Sequence, residues 1–237
     1  MFKKDIWMSK IIGEPAYHLI DDLGEFEQFK NNSIEKHLNE TSLFVDTKIS
    51  TQQINKIKVL NKLNFSLIDT NVTFELNNVK ISKKGSATIE NVDLSDENET
   101  TELAKSCFEY SRFHLDPLFD DSIANTIKEK WVGNFFTGQR GDFLFVAKIE
   151  NNIAGFIQIL DRDEQIIIDL IGVSSKYRRQ YVAHDLMAHL TQTFPQKKII
   201  KVGTQISNCP SIRMYENFGF RLHSSNYVFH YHSSSQT

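Results

Sequence analysis

Four residues near the C-terminus have side chains and spacing that suit transfer of an acyl group. Asn208, Tyr215 and the Gly219-Phe220 pair follow the pattern N-x6-Y-x3-G-F. The preceding segment, 197–207, reads as a β-strand, and the pattern itself opens a short helix. The amide and the phenol therefore face one cleft from successive turns. An amide there can hold a thioester donor, and a phenol can return a proton to the departing sulfur.

A second candidate site follows the strand-like segment 165–173. A helix is predicted from about residue 182, and helix N-termini attract anions because their first N–H groups lack partners. A turn that points successive N–H groups outward forms a nest for phosphate oxygens. We expect such a nest in the run Arg178-Arg179-Gln180-Tyr181-Val182-Ala183.

Both segments resemble the GNAT superfamily of acetyl-CoA-dependent N-acetyltransferases. That family places R/Q-x-x-G-x-G/A at the nest, and Arg178 and Ala183 match it, whereas Tyr181 stands where glycine is usual. Glycine allows close approach of backbone to phosphate and tolerates unusual φ and ψ. Three outcomes are therefore open for Tyr181. Its side chain tilts outward and acetyl-CoA binding is retained, or it weakens acetyl-CoA binding, or it abolishes that binding. Arg178 and Arg179 add positive charge, although Arg179 alone also suits a solvated helix start.

The resemblance implies roles for further residues. The fourth and fifth strands of GNAT folds separate, and backbone groups of the fourth strand pair with the pantetheine arm. Gly172 in that strand indicates a bulge, a close backbone approach or a loosened strand end. N–H groups near Val173 would polarise the thioester carbonyl. The expected coenzyme-binding residues are Ile171, Gly172, Val173, Arg178, Arg179, Gln180, Tyr181, Val182, Ala183, Asn208 and Tyr215.

Catalytic roles are assigned to two residues. Tyr215 is the expected general acid, with a core tyrosine as the alternative. Asn208 would bind the pantetheine arm, cap the helix that Pro210 begins, or do both. Asp169 is a weak candidate for the base, acting through water, and a structural hydrogen-bond acceptor is the alternative.

The N-terminal half resembles one branch of the superfamily, the dTDP-4-amino-4,6-dideoxygalactose (dTDP-fucosamine) N-acetyltransferases. The similar segments are 7–19 (WMSKIIGEPAYHL), 60–76 (LNKLNFSLIDTNVTFEL), 111–117 (SRFHLDP) with Trp131, and 203–208 (GTQISN). Asn64 replaces a usual glycine, and Ile11-Ile12 replaces an aromatic pair. The resemblance implies a nucleotide-linked amino-deoxysugar as acceptor.

Arg112 and His114 are the candidate acceptor residues, because they follow the first helix of the GNAT-like half, where acceptors usually bind. A guanidinium there suits a sugar-nucleotide diphosphate. The alternatives are an ion pair of Arg112 with Asp116 or Asp120, and a packed ring for His114.

A metal site is not expected. His230 and His232 share one face of a predicted strand, with His223 nearby in sequence. No carboxylate stands at ligand spacing to them, so we predict that no metal is bound.

The periodicity predicts an α+β protein in two parts. Residues 1–78 read as a small βαβαβ domain with a helix at 24–39, and 77–86 as a linker. Residues 86–232 read as helices and strands in the order βααβββαβαββ, ending in a pair of strands. That order resembles the GNAT layout, and the resemblance implies helices on both faces of a mixed, mostly antiparallel sheet.

The composition restricts the protein's partners and compartment. The net charge is -3 without a basic stripe, which argues against nucleic-acid binding. Two cysteines and no apolar run long enough to span a bilayer predict a cytoplasmic protein that does not bind membranes. We expect a small-molecule amine acceptor and leave open a homodimer. The alternative functions are a protein or peptide N-acetyltransferase and a non-catalytic ligand-binding module of the same fold.

Overall fold

The computed structural model describes residues 2–20, 42–78 and 80–233. The strands in these ranges are Phe2–Lys4 (β1), Ala16–Leu19 (β2), Phe44–Ser50 (β3), Ser66–Asn77 (β4), Thr88–Asn91 (β5), Phe143–Ile149 (β6), Asn152–Arg162 (β7), Gln165–Val173 (β8), Ile199–Gln205 (β9) and Arg221–His232 (β10). They form one ten-stranded sheet in the order β1-β2-β3-β10-β4-β9-β8-β7-β6-β5. The pairs β2–β3 and β8–β9 are parallel and the others are antiparallel. The predicted mixed, mostly antiparallel sheet is confirmed.

Seven α-helices lie within the described ranges. They are Ile6–Ile12 (α1), Ile54–Lys62 (α2), Glu97–Cys107 (α3), Arg112–Leu115 (α4), Asp121–Phe136 (α5), Val182–Thr193 (α6) and Cys209–Asn217 (α7). No helix among the described residues is both long enough and apolar enough to cross a membrane. The helix predicted at 24–39 lies outside the described residues.

The two faces of the sheet carry different helices. Phe145 on β6 packs in the same buried cluster as Leu186 of α6. Its neighbour Leu144 packs with Val132 of α5 and with α3. Successive strand residues point to opposite faces, so α6 covers one face and α3 with α5 cover the other. The helix predicted from about residue 182 is confirmed as α6, and its Val182, Leu186 and Leu190 are buried.

The prediction that the second half ends in a pair of strands is wrong. A single twelve-residue strand, β10, runs from Arg221 to His232. Its partners are β3 and β4, which both come from the N-terminal half. β4 lies between β9 and β10. Phe74 and the residues two positions before and after it are buried in the same cluster as Val202 and Phe220, and this packing stabilises β4 in that place. One continuous sheet therefore crosses the boundary drawn between 1–78 and 86–232, and we retain that boundary only as a division of the sequence.

The first strand and helix were not anticipated, although the sequence contains a signal for the helix. The Asp5 carboxylate accepts a hydrogen bond from the Met8 backbone N–H at 2.8 Å, and Gly13 ends the helix. Asp at an N-cap and Gly just past the C-terminus are common boundaries of short helices. The helix buries Met8 and packs against α5.

The segment predicted as a linker is fixed to α6 by one buried carboxylate. Asp185 is 1% exposed and accepts hydrogen bonds from the backbone N–H groups of Lys84, Gly85 and Ala87, at 3.0, 2.7 and 3.2 Å. These bonds connect the N-terminal half directly to the helix that follows β8. The linker is thus part of the packed structure.

Replacement of Asp185 by alanine would leave three N–H groups without an acceptor, of which that of Ala87 is buried and those of Lys84 and Gly85 are partly buried. We expect Asp185→Ala to lower the free energy of unfolding by about 2–4 kcal/mol, measured by urea denaturation. Asp121→Ala is the matched control, because Asp121 is an exposed acid in the first turn of α5. That change should cost less than about 1 kcal/mol. Equal losses in the two variants would show that the Asp185 contacts do not stabilise the fold.

Candidate active site

The two parallel strands β8 and β9 separate partway along their length. They pair from Gln165–Ile168 against Ile199–Val202, and beyond these residues both strands continue without pairing to each other. The separation coincides with a β-bulge, since Gln158 of β7 lies opposite Leu170 while Ile159 lies opposite Ile168. Asp169 is the extra residue. Bulges bend and twist a strand, so this one turns β8 away from β9.

Four hydrogen bonds hold the Asp169 side chain. Arg140 donates from Nε and Nη2 at 2.7 and 2.6 Å, and the Trp131 indole and the Gln158 amide donate at 2.9 and 3.0 Å. All of these donors belong to the protein, so the carboxylate acts as a structural hydrogen-bond acceptor at the bulge, which is the alternative that the sequence left open. The structure favours that role over the weak assignment of Asp169 as a base.

A cavity of about 710 Å³ passes through the gap between β8 and β9. Its wall combines both strands with the start of α7, the end of α3, one side of α5, and strands β3 and β4. The polar and aromatic side chains of the wall include Lys48, Asn71, Thr73, Lys128, Trp131, Arg140, Asn208 and Tyr215. The cavity thus connects the two faces of the sheet.

Tyr215 lies in this wall, as the sequence predicts. It is 3% exposed, and its ring packs near those of Phe74 and Phe220, with centroids 6.1 and 5.5 Å away. Its hydroxyl makes no hydrogen bond to any other described residue. Burial raises the pKa of the Tyr215 phenol well above its usual value. The phenol therefore keeps its proton at neutral pH and remains available to donate it.

Asn208 caps α7. Its Oδ1 accepts from the Ser211 backbone N–H at 3.3 Å, and its Nδ2 donates to the Thr204 hydroxyl at 3.2 Å. Pro210 occupies the first turn. Asn208 therefore has the capping role that was one of its two predicted roles, and it also lines the cavity.

The turn before α6 has the backbone of an anion nest. Arg179 and Tyr181 both have left-handed backbone conformations, with φ of 64° and 62°. Among the described residues, no acceptor takes the backbone N–H groups of residues 179–184. Unpartnered N–H groups at a helix N-terminus suit the oxygens of a pyrophosphate. Arg178 and Ala183 line the cavity beside this turn.

Tyr181 tilts away from the cavity. Its side chain is 58% exposed and lies edge-on to the His184 ring, with centroids 6.3 Å apart. The ring is absent from the cavity wall. The structure shows the outward tilt, with a left-handed backbone conformation at a non-glycine residue as its cost. Retained coenzyme binding stays a prediction.

The end of β8 presents a free edge to the cavity. Ile171, Gly172 and Val173 all line it, and their β9-facing side has no strand partner among the described residues. At Gly172 the backbone of β8 lies close to neighbouring side chains, whereas the bulge lies at Asp169. A Cβ on Gly172 would lie 2.6 Å from the Cys107 sulfur.

The two residues predicted to bind the acceptor instead contact other residues of the protein. Arg112 pairs with Asp46 of β3 at 2.6 Å, in place of either Asp116 or Asp120. The His114 ring contacts the Ser111 hydroxyl at 2.6 Å and Asn125 Oδ1 at 3.0 Å. Neither side chain lines the cavity. We therefore correct both assignments, because each side chain already has internal partners.

Sequence reasoning missed the side chains that form the far end of the cavity. Lys128 lies on the buried side of α5, four residues after buried Ala124. A lysine at helical spacing from buried residues was the available signal. Lys48 is the exposed residue of the otherwise buried or half-buried strand β3, and the sequence offered no signal that it lines the cavity.

The histidine pair on β10 meets a carboxylate from a distant segment. Asp116 Oδ2 contacts His230 Nδ1 at 2.6 Å and His232 Nε2 at 2.8 Å, and all three residues are buried. His223 instead pairs with Glu75 at 3.3 Å. The carboxylate lies 114 residues before His230 in the chain, so no local spacing revealed it.

The sequence model of the Acetyltransferase (GNAT) family matches residues 98–220, which is more than half of the chain. The chain belongs to the GNAT acetyltransferase family. This match contains the nest, the separated strands and the Asn208–Tyr215 segment. β1 to β5 and β10 lie outside it.

One characterised relative shares sequence with this GNAT protein. The spore coat polysaccharide biosynthesis protein SpsD of Bacillus subtilis is 34% identical over 131 residues, which is 54% of this chain and 45% of SpsD. The chain thus matches about half the length of this curated relative.

Solved structures show the same fold. A conserved protein of unknown function from Staphylococcus epidermidis has a TM-score of 0.67 at 16% identity, covering 91% of this chain and 83% of its own. A GCN5-related N-acetyltransferase from Sphaerobacter thermophilus has a TM-score of 0.61 at 11% identity, with 92% and 73% covered. A tandem GNAT protein of the clavulanic acid pathway has 0.58 at 13%, with 86% and 67% covered.

Substitution of Tyr181 tests whether its left-handed backbone conformation is strained. We expect Tyr181→Gly to raise the free energy of unfolding by about 0.5–1 kcal/mol, because glycine adopts positive φ without a steric cost. Tyr181→Val is the contrasting variant and should destabilise the protein, since a β-branched residue fits this conformation worst. Urea denaturation measures both changes. A loss of stability in Tyr181→Gly would show that the contact with His184 outweighs the strain.

Proposed function

We propose that this protein is an acetyl-CoA-dependent N-acetyltransferase. The observation that carries the proposal is the cavity, which extends from the nest before α6, along the free edge of β8, to the Tyr215 phenol. These three features suit, in order, the pyrophosphate, the pantetheine arm and the sulfur of one extended thioester. Because Tyr181 tilts outward, its ring does not close the nest, which argues against a non-catalytic module.

The chain's own groups account for the steps of acyl transfer. The N–H groups of residues 179–184 hold the donor's phosphates, and the edge of β8 orients its arm. Backbone N–H groups near Val173 stabilise negative charge on the carbonyl oxygen as the amine attacks. Tyr215 then donates its proton to the leaving sulfur as the carbon–sulfur bond breaks. The proton lost from the amine nitrogen passes to water, and water returns a proton to the Tyr215 phenolate. Asn208 holds α7 so that the phenol points into the cavity.

The acceptor that we propose is the amine of a nucleotide-linked amino-deoxysugar. Support comes from the resemblance of the N-terminal half to dTDP-fucosamine N-acetyltransferases, and from the relative that is named for polysaccharide biosynthesis. Strands β3 and β4, which form the far wall of the cavity, belong to that half. The product would enter surface polysaccharide assembly.

The proposed setting is the cytoplasm, where acetyl-CoA and nucleotide sugars are available together. Cys107 and Cys209 are both free thiols, in agreement with a reducing compartment. We leave a homodimer open, and analytical sedimentation would measure the oligomeric state.

Release of free CoA with a panel of acceptors tests the function. We expect thiol release with dTDP-linked 4-amino-deoxysugars, and much less with peptides that carry a free N-terminus or lysine. Turnover of peptides alone would contradict the sugar assignment and favour a peptide acetyltransferase. No release with any amine would contradict the enzymatic role.

Tyr215→Phe tests the general acid. We expect kcat to fall about 100-fold or more, because the thiolate must leave without a proton donor, while the affinity for acetyl-CoA changes less than about twofold. Tyr227→Phe, on β10, is the control and should leave both quantities unchanged. Small and equal effects of Tyr215→Phe on kcat and affinity would rule out the assignment.

A further inference from the structure

The basic side chains around the cavity fall into two groups. Three of them have carboxylate partners, and the pairs are Arg140–Asp169 at 2.6 Å, Arg178–Glu109 at 3.6 Å and Lys201–Glu75 at 3.5 Å. The other two, Lys48 and Lys128, have no hydrogen-bond or ion-pair partner within the described part of the chain. The cavity is therefore lined by two lysines without a direct carboxylate partner, of which Lys128 is buried and Lys48 is exposed at the cavity mouth.

Lys128 is the more enclosed of the two. It is 8% exposed, and its Nζ lies 5.0 Å from the ring centroids of both Phe108 and Trp131. Burial, followed by the charge of Arg112, lowers the pKa of Lys128 to about 8. Lysine is rarely buried without a partner, and two aromatic faces compensate its charge only in part. The ammonium group is therefore ready to bind an anion.

Lys48 contributes a second charge from the sheet. It projects into the cavity from β3, and desolvation there, with the charge of Arg112, lowers its pKa to about 8. Asp46 and Asp69 raise that pKa but form no ion pair with it. Lys48 in turn lowers the pKa of Lys128, so the two charges lie close enough to repel each other. A bound anion would relieve this repulsion.

These lysines lie apart from the nest proposed for the donor's phosphates. The nest precedes α6, which covers one face of the sheet, whereas Lys128 is on α5, which covers the other. The gap between β8 and β9 connects the two ends of the cavity. The donor's pyrophosphate at the nest would therefore leave Lys48 and Lys128 without a counter-ion.

We propose that Lys128 and Lys48 form an anion-binding subsite that holds a phosphate or carboxylate group of the acceptor and so directs its amine toward the thioester. The inference rests on the proposed function, because it assigns one end of the same cavity to the acceptor. For a nucleotide-linked sugar, the diphosphate is the group that would bind. Lys128 and Lys48 are then positioning and specificity residues, and Tyr215 keeps the chemical role.

The test measures anion binding to protein already saturated with free CoA, so that the nest is filled. The probes are inorganic pyrophosphate, thymidine diphosphate and galacturonate, titrated calorimetrically at constant ionic strength. We expect at least one probe to bind, and Lys128→Met to weaken its binding at least tenfold. Binding of the phosphates identifies a diphosphate group, and binding of galacturonate alone identifies a carboxylate.

Two controls accompany the variant. Lys130→Met removes an exposed lysine from the same helix and should leave probe binding unchanged. Lys128→Met should retain the wild-type melting temperature or exceed it, because it removes an uncompensated buried charge and keeps the apolar stem. Its affinity for CoA should also stay within about twofold. Equal probe binding in the wild type and in Lys128→Met would overturn the subsite.

The outcomes for the subsite and for the proposed function are separable. Wild-type protein that releases thiol with an amine but binds none of the probes would overturn the subsite and leave the acetyltransferase intact. Probe binding that depends on Lys128, without thiol release from any amine, would support the subsite and contradict the enzymatic role.

Discussion

The geometry of the site depends on the carboxylate of Asp169. As the bulge residue of β8, it ends the pairing with β9 and opens the gap through which the cavity passes. Its bond to Trp131 attaches β8 to α5, and its bidentate pair with Arg140 attaches β8 to the segment that follows α5. A mostly buried carboxylate of this kind is costly to leave unpaired, so the bulge is strongly fixed. The free edge of β8 and the aromatic wall of the cavity therefore share one anchor.

The two ends of the cavity come from different parts of the chain. The nest, the edge of β8 and Tyr215 lie inside the family match at 98–220. Lys48, Asn71 and Thr73 lie outside it, on strands that the N-terminal half inserts beside β9 and β10. The proposed donor side thus lies inside the family match. The far wall of the cavity combines strands from outside that match with α5, which lies inside it.

Local pattern predicted much of the fold. The β6–β8 meander, α6 and α7 follow from alternation, helical spacing and capping residues, each of which acts over a few residues. The insertion of β4 between β9 and β10 did not follow, because strand pairing over more than a hundred residues leaves no local signal. The partners of Asp169, Arg112 and Asp116 were missed for the same reason. The outward direction of Tyr181 depended on its φ, which the sequence restricts but does not determine.

Calorimetric titration of the wild-type protein with acetyl-CoA, and separately with free CoA, tests the central claim most directly. The account predicts micromolar binding of both ligands, about 8 kcal/mol, because the nest, the open edge of β8 and the cavity are already formed. Free CoA should bind with similar strength, since it makes the same phosphate and backbone contacts. Absence of heat and of any thermal shift at millimolar ligand would contradict the account and show that this cavity is not a coenzyme site.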